Sequence, residues 1–241
     1  MTANADITGF SARKPADPVN LPAPPSSLRS FFLSGPAGRL EALLNEGRDS
    51  APFVTLLCHP HPLGGGTMHN KVVYHAMKVF HGVGWPVLRF NFRGTGLSEG
   101  DHDGRAELDD VRAGLDWLSA EYRKPIIAAG FSFGAAMGLK AACSDSRVHG
   151  FAALGLPTHA QGRDYAYPFL TKCALPKLFL SGDQDQYAPV NQLRGVVAEA
   201  ADPKRLELIS GADHFFVGHL AAMQATLRQW LDDSFSPCTQ I

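Results

Sequence analysis

No stretch of about 18 charge-free apolar residues, the length a helix needs to cross a bilayer, occurs in this chain. The opening MTANADITGFSARKPADPVN also lacks a basic start followed by an apolar run. A membrane span is therefore not expected, and the expected location is cytoplasmic. Basic residues are not in excess: 22 Lys and Arg face 23 Asp and Glu, and no basic cluster stands out that would neutralise phosphates. Nucleic acid is thus a poor candidate partner. Cysteine is sparse. Cys58, Cys143, Cys173 and Cys238 are widely spaced and form no Cys-x-x-Cys pair, which argues against a zinc knuckle or a redox motif and leaves buried free thiols as the expectation. His59, His61 and His69 lie close together, but no nearby carboxylate or thiol pair completes a tetrahedral set, so no metal site is expected. The glycine-rich NFRGTGLSEG matches neither phosphate-loop spacing, so its residues are expected to turn the chain, with Arg93 making structural hydrogen bonds.

What is present is enough apolar material for one core. A chain of 241 residues, 45% hydrophobic, suits a single α/β domain. Residues 1–27, rich in proline, read as an extended arm, residues 28–235 as the domain, and 236–241 as a tail. SLRSFFLSGPAGRLEALLN predicts a β-hairpin turning over Ser34–Gly38. From residue 53, apolar runs alternate with helical patterns, which predicts a mostly parallel sheet of about eight strands with helices on both faces and an antiparallel hairpin leading in. Only about 20 residues separate the AALGLP and LFLSGD strands, room for a minimal lid near 158–176 and no more. In that segment Tyr165, Tyr167 and Phe169 are candidate pocket walls.

The sharpest signal is PIIAAGFSFGAAMG, residues 125–138. A Gly-x-Ser-x-Gly turn between strand and helix forces Ser132 into a tight conformation that exposes its hydroxyl, while the new helix directs its amides toward it. A serine hydroxyl is a weak nucleophile and needs a histidine base and an orienting carboxylate later in the chain. LFLSGDQDQYAP supplies Asp183 and Asp185 at a strand end, and LELISGADHFF supplies His214 after the next strand. His219 falls in the following predicted helix.

With GFSFG, the Gly182-Asp183-Gln184-Asp185 loop followed by Pro189, Ala212-Asp213-His214, and Arg93-Gly94-Thr95-Gly96-Leu97-Ser98, the chain resembles the α/β-hydrolase superfamily from about residue 28 to 233. CHPHPLGGGTMHNKVV and LRFNFRGTGLSEG are similar to a group of small, cap-less bacterial serine hydrolases. The resemblance implies the α/β-hydrolase fold and cleavage of carboxylic esters by a triad of Ser132, Asp185 and His214, with Asp185 rather than Asp183 on the family's acid. It implies no cofactor and a small-molecule ester as partner; assembly as a homodimer is left open. One oxyanion donor is expected to be the amide of Phe133. Pro60 and Pro62 carry no amide hydrogen, so the second is His61, by the usual His-Gly-x pattern, or Leu63. A neutral His214 would make activity rise through a pKa near the usual ~6.5. Short acyl chains are the expected substrates. Thioesters, peptides and acyl transfer use the same triad, and a hydrolase-like binding protein without chemistry is the alternative from another class.

Overall fold

The computed structural model describes residues 27–160 and 163–235, so nearly all of the expected arm, the tail and Cys238 lie outside the described residues. β1 (Leu28–Gly35) and β2 (Gly38–Asn45) pair antiparallel from Leu28 with Asn45 to Gly35 with Gly38. Their turn is tighter than the sequence suggested, with only Pro36 and Ala37 outside the ladder. Gly38 closes it at φ +120°, a conformation side chains rarely adopt.

After the hairpin come β3 (Val54–Cys58), α1 (Lys71–Gly82), β4 (Val87–Phe90), α2 (Glu107–Tyr122), β5 (Ile126–Phe131), α3 (Phe133–Ala142) and β6 (Val148–Leu154). The small hairpin β7 (His159–Ala160) and β8 (Arg163–Asp164) and a 3-10 turn at Pro168–Lys172 fill the short connection to β9 (Lys177–Gly182). α4 (Val190–Glu199), β10 (Lys204–Ile209) and α5 (Leu220–Phe235) complete the chain. The strands run in the order β1-β2-β4-β3-β5-β6-β9-β10, eight in all, parallel from β4 onward.

Every residue of β3, β4, β5 and β9 is buried, because helices cover both sheet faces. Successive side chains serve opposite layers. Leu56, Phe90 and Ala128 pack toward α2 and α3, whereas Leu57, Val87 and Ala129 pack toward α1 and α5. Even Lys177 is drawn in at the start of β9. Burial lowers its pKa to about 8, and its ammonium donates to the carbonyls of Cys173 and Leu175 at 2.6 and 2.5 Å.

The free-thiol expectation fails for two of the cysteines. Cys143, at the end of α3, is disulfide-bonded to Cys173, 30 residues on. Wide spacing in sequence concealed a Cα–Cα distance of 5.3 Å, because the β6 crossover returns the chain beside α3. Cys58 is free and buried, and its thiol pKa is raised by desolvation.

The connection from β3 goes to one neighbour, β4, and the next crosses back to the other, β5. A crevice opens at such a reversal beyond the carboxyl ends of the strands. The loops after β3 and β5 carry His61 and Ser132.

Candidate active site

Ser132 stands between β5 and α3 at φ 55° and ψ −120°, outside the regions a residue with a side chain usually occupies. The flanking glycines make this turn feasible. A Cβ on Gly130 would overlap the carbonyl of Gly134, and a Cβ on Gly134 would overlap the carbonyls of His59 and Cys58. Two backbone segments thus close on each other where no side chain fits, and the hydroxyl is left at the cleft.

His214 reaches it from the loop after β10. Its Nε2 lies 2.9 Å from Ser132 Oγ, and its Nδ1 lies 2.8 Å from Asp185 Oδ2. Since the carboxylate can only accept, Nδ1 carries the proton and Nε2 accepts from the serine hydroxyl. Asp185 is 3% exposed and His214 2%. Four donors surround the Asp185 carboxylate: His214 Nδ1, Ser181 Oγ, and the amides of Tyr187 and Ala188. Phe131, Tyr187 and Phe215 enclose the imidazole at centroid distances of 4.7–5.1 Å. Asp183 points elsewhere. Its carboxylate accepts from the amide of Gly211 at 2.7 Å, which lowers its pKa.

After β3, Pro62–Gly64 form a 3-10 turn. The Leu63 amide donates to the ring Nδ1 of His61 at 3.1 Å, so it is engaged. The His61 amide donates to no backbone carbonyl among the described residues. Phe133 is the first residue of α3, where an amide has no partner within the helix.

A profile described as an alpha/beta hydrolase domain matches residues 54–240. The chain belongs to the alpha/beta-hydrolase family. It is 34% identical over 194 residues to an uncharacterized protein of Rickettsia prowazekii, covering 77% of this chain and 81% of that one. Among solved structures it resembles an alpha-beta serine hydrolase homologue from Coxiella burnetii, at 36% identity and a TM-score of 0.77 over 83% of this chain and 96% of the other. It also resembles a lidless serine hydrolase from Xanthomonas campestris, at 29% identity and a TM-score of 0.78 over 91% and 100%.

This hydrolase has a second histidine–carboxylate pair that the sequence did not reveal. His102 Nδ1 lies 2.6 Å from Glu107 Oε1, off the line of a good hydrogen bond, and Glu107 is fully buried. His102 Nε2 in turn lies 3.1 Å from His61 Nε2. Because His61 Nδ1 accepts from Leu63, its Nε2 carries the proton and donates to His102, leaving Nδ1–H of His102 toward Glu107. Burial, then the charge of Arg163, lowers the His61 pKa to about 4, so its ring is neutral near pH 7. No periodicity or motif in HDGRAE marks this chain of contacts.

The remaining candidates fall into structural places. His59 donates from Nδ1 to the Pro60 carbonyl and accepts at Nε2 from the Phe92 amide, so neither nitrogen is free for a metal. Arg93 grips buried Asp110 through its side chain and its amide. His219 lies just before α5 rather than within it, its ring bonded to the Val217 carbonyl. Tyr165 lines the cleft beside Ser132, but Tyr167 and Phe169 line a neighbouring cavity instead. The Tyr167 hydroxyl is held on the Pro157 carbonyl at 2.6 Å, which turns that ring away from the site.

Proposed function

We propose that this hydrolase is a carboxylesterase acting on short-chain acyl esters through Ser132, His214 and Asp185. The observation that carries the reading is the unbroken contact from carboxylate to imidazole to hydroxyl, at 2.8 and 2.9 Å. Ser132 Oγ attacks the ester carbonyl as its proton passes to His214 Nε2. The tetrahedral intermediate expels the alcohol, which takes that proton, and leaves an acyl-serine. Water then attacks the acyl carbon, giving one proton to His214; the intermediate collapses to the free acid as Ser132 Oγ leaves and takes that proton back from Nε2. Asp185 holds the imidazole in the required tautomer and stabilises its charged form. The amides of Phe133 and His61 are the donors to the oxyanion, aided by the N-terminus of α3. Engagement of the Leu63 amide favours His61 over Leu63.

The cleft, about 290 Å³, supports small acyl groups, and Leu63, Tyr187 and Phe215 offer them an apolar rim. The location we propose is the cytoplasm, where reducing conditions would hold Cys143 and Cys173 as thiols rather than as the disulfide of the structure. Counting alkylated cysteines in freshly lysed cells tests that placement.

A series of para-nitrophenyl esters should be cleaved fastest at acetate to butyrate, and Ser132→Ala should lose on the order of 10⁴-fold or more in kcat while keeping its circular dichroism. A fluorophosphonate probe should label the native chain at Ser132 alone. An unlabelled serine and unchanged turnover in the alanine variant would remove the reading.

A further inference from the structure

Among the described residues, the cleft that holds Ser132 is lined by Arg163 and by no aspartate or glutamate. Asp185 stands behind the ring of His214, with its charge already surrounded by donors. Arg163 lies on β8, half-buried, and its guanidinium has no ion-pair partner among the described side chains. An arginine facing a concave, partly dry wall without a counter-charge keeps five donors free for a ligand's anion. Its field is felt at the site, since it contributes to holding His61 unprotonated.

The charge continues beyond the cleft. Arg163 and Tyr165 also line an adjoining cavity of about 490 Å³, together with Arg105 and Lys140, both exposed and outside any ion pair among the described residues. Among the described residues Asp103 is the only carboxylate lining that cavity, and one of its oxygens already accepts from the amides of Arg105 and Ala106 at 2.7 Å each. Three cations against one engaged carboxylate thus lead away from the nucleophile, with Arg163 at the junction.

We propose that Arg163 is a specificity-determining residue and that the substrates are esters bearing an anionic group, such as a carboxylate, a few bonds from the scissile carbonyl. A guanidinium matches a carboxylate in two parallel hydrogen bonds, and the neighbouring cations raise the local concentration of anions. The proposal rests on the esterase reading for turnover but not for binding, so its test has both readouts.

Two matched pairs place the anion on either side of the ester: monoethyl glutarate against ethyl pentanoate, and para-acetoxybenzoate against its methyl ester. In at least one pair the anionic member should be favoured about tenfold in kcat/KM, and that ratio should fall to near one in Arg163→Gln while Arg163→Lys keeps part of it. Added salt should shrink the ratio. Independently, calorimetric titration with glutarate should show binding weakened about tenfold in Arg163→Gln, with fluorophosphonate labelling or circular dichroism reporting an intact fold. Either readout moving with Arg163 sustains the proposal. Glutarate binding through Arg163 without turnover of any ester would sink the esterase reading and leave this one standing. Ester ratios and glutarate binding that are both indifferent to Arg163 overturn it.

Discussion

Of two histidine–carboxylate pairs, one borders the cleft and the other backs His61 in its wall, and they differ in what the far nitrogen meets. In one, Asp185 aligns His214 so that Nε2 faces a hydroxyl held at a strained turn. In the other, Glu107 sits equally deep beside His102, but Nε2 of His102 faces a second imidazole whose tautomer is already set by the Leu63 amide. The same pairing of imidazole with carboxylate therefore serves different ends. Facing a hydroxyl, the pair can take up a proton and release it; facing a nitrogen that donates, it holds the loop whose His61 amide is the proposed second oxyanion donor.

That contrast is open to measurement. Asp185→Asn should lower kcat by about 10⁴-fold through the wrong tautomer of His214, whereas Asp183→Asn should stay within a few-fold. A larger loss at 183 would reassign the acid. Loss of the Cys143–Cys173 bridge touches neither pair and serves as a control. In the chain-entropy picture a loop of this length contributes about 3–4 kcal/mol. Cys143→Ser should therefore lower the midpoint of chemical unfolding while the kcat ratio of wild type to Asp185→Asn stays as it was. Glu107→Gln should reduce kcat by about tenfold, as expected for a displaced oxyanion donor, with KM and the acid limb of the pH profile little changed. A loss as large as that of Asp185→Asn would erase the distinction between the pairs. The smallest effect concerns His61. Removing a positive charge favours its protonated form, so Arg163→Gln should raise its pKa from about 4, yet burial, the larger cause, should keep it below the usual histidine range; NMR titration of the ring reads this directly.

Much of this was legible before any coordinates. The largely apolar runs at 54–58, 126–131 and 177–182 announce strands covered on both faces, and GFSFG between strand and helix announces an elbow, since both are local patterns. The hairpin turn is shorter than Ser34–Gly38 suggests, because a glycine that closes a ladder looks the same in sequence as one that forms the loop. Tyr167 and Tyr165 are indistinguishable as letters two residues apart. Only the hydrogen bond of Tyr167 to Pro157 removes it from the cleft.

The sequence by itself determined the alternation of elements, the elbow at Ser132 and the supply of a later acid and histidine, because each depends on neighbours within a few residues. Tertiary structure alone decided that Cys143 lies beside Cys173, that His102, paired with Glu107, meets His61, and that Arg163 faces the cleft with no ion-pair partner among the described residues. These are meetings between segments tens of residues apart. Their distances are set by how strands and helices stack, which no local pattern records.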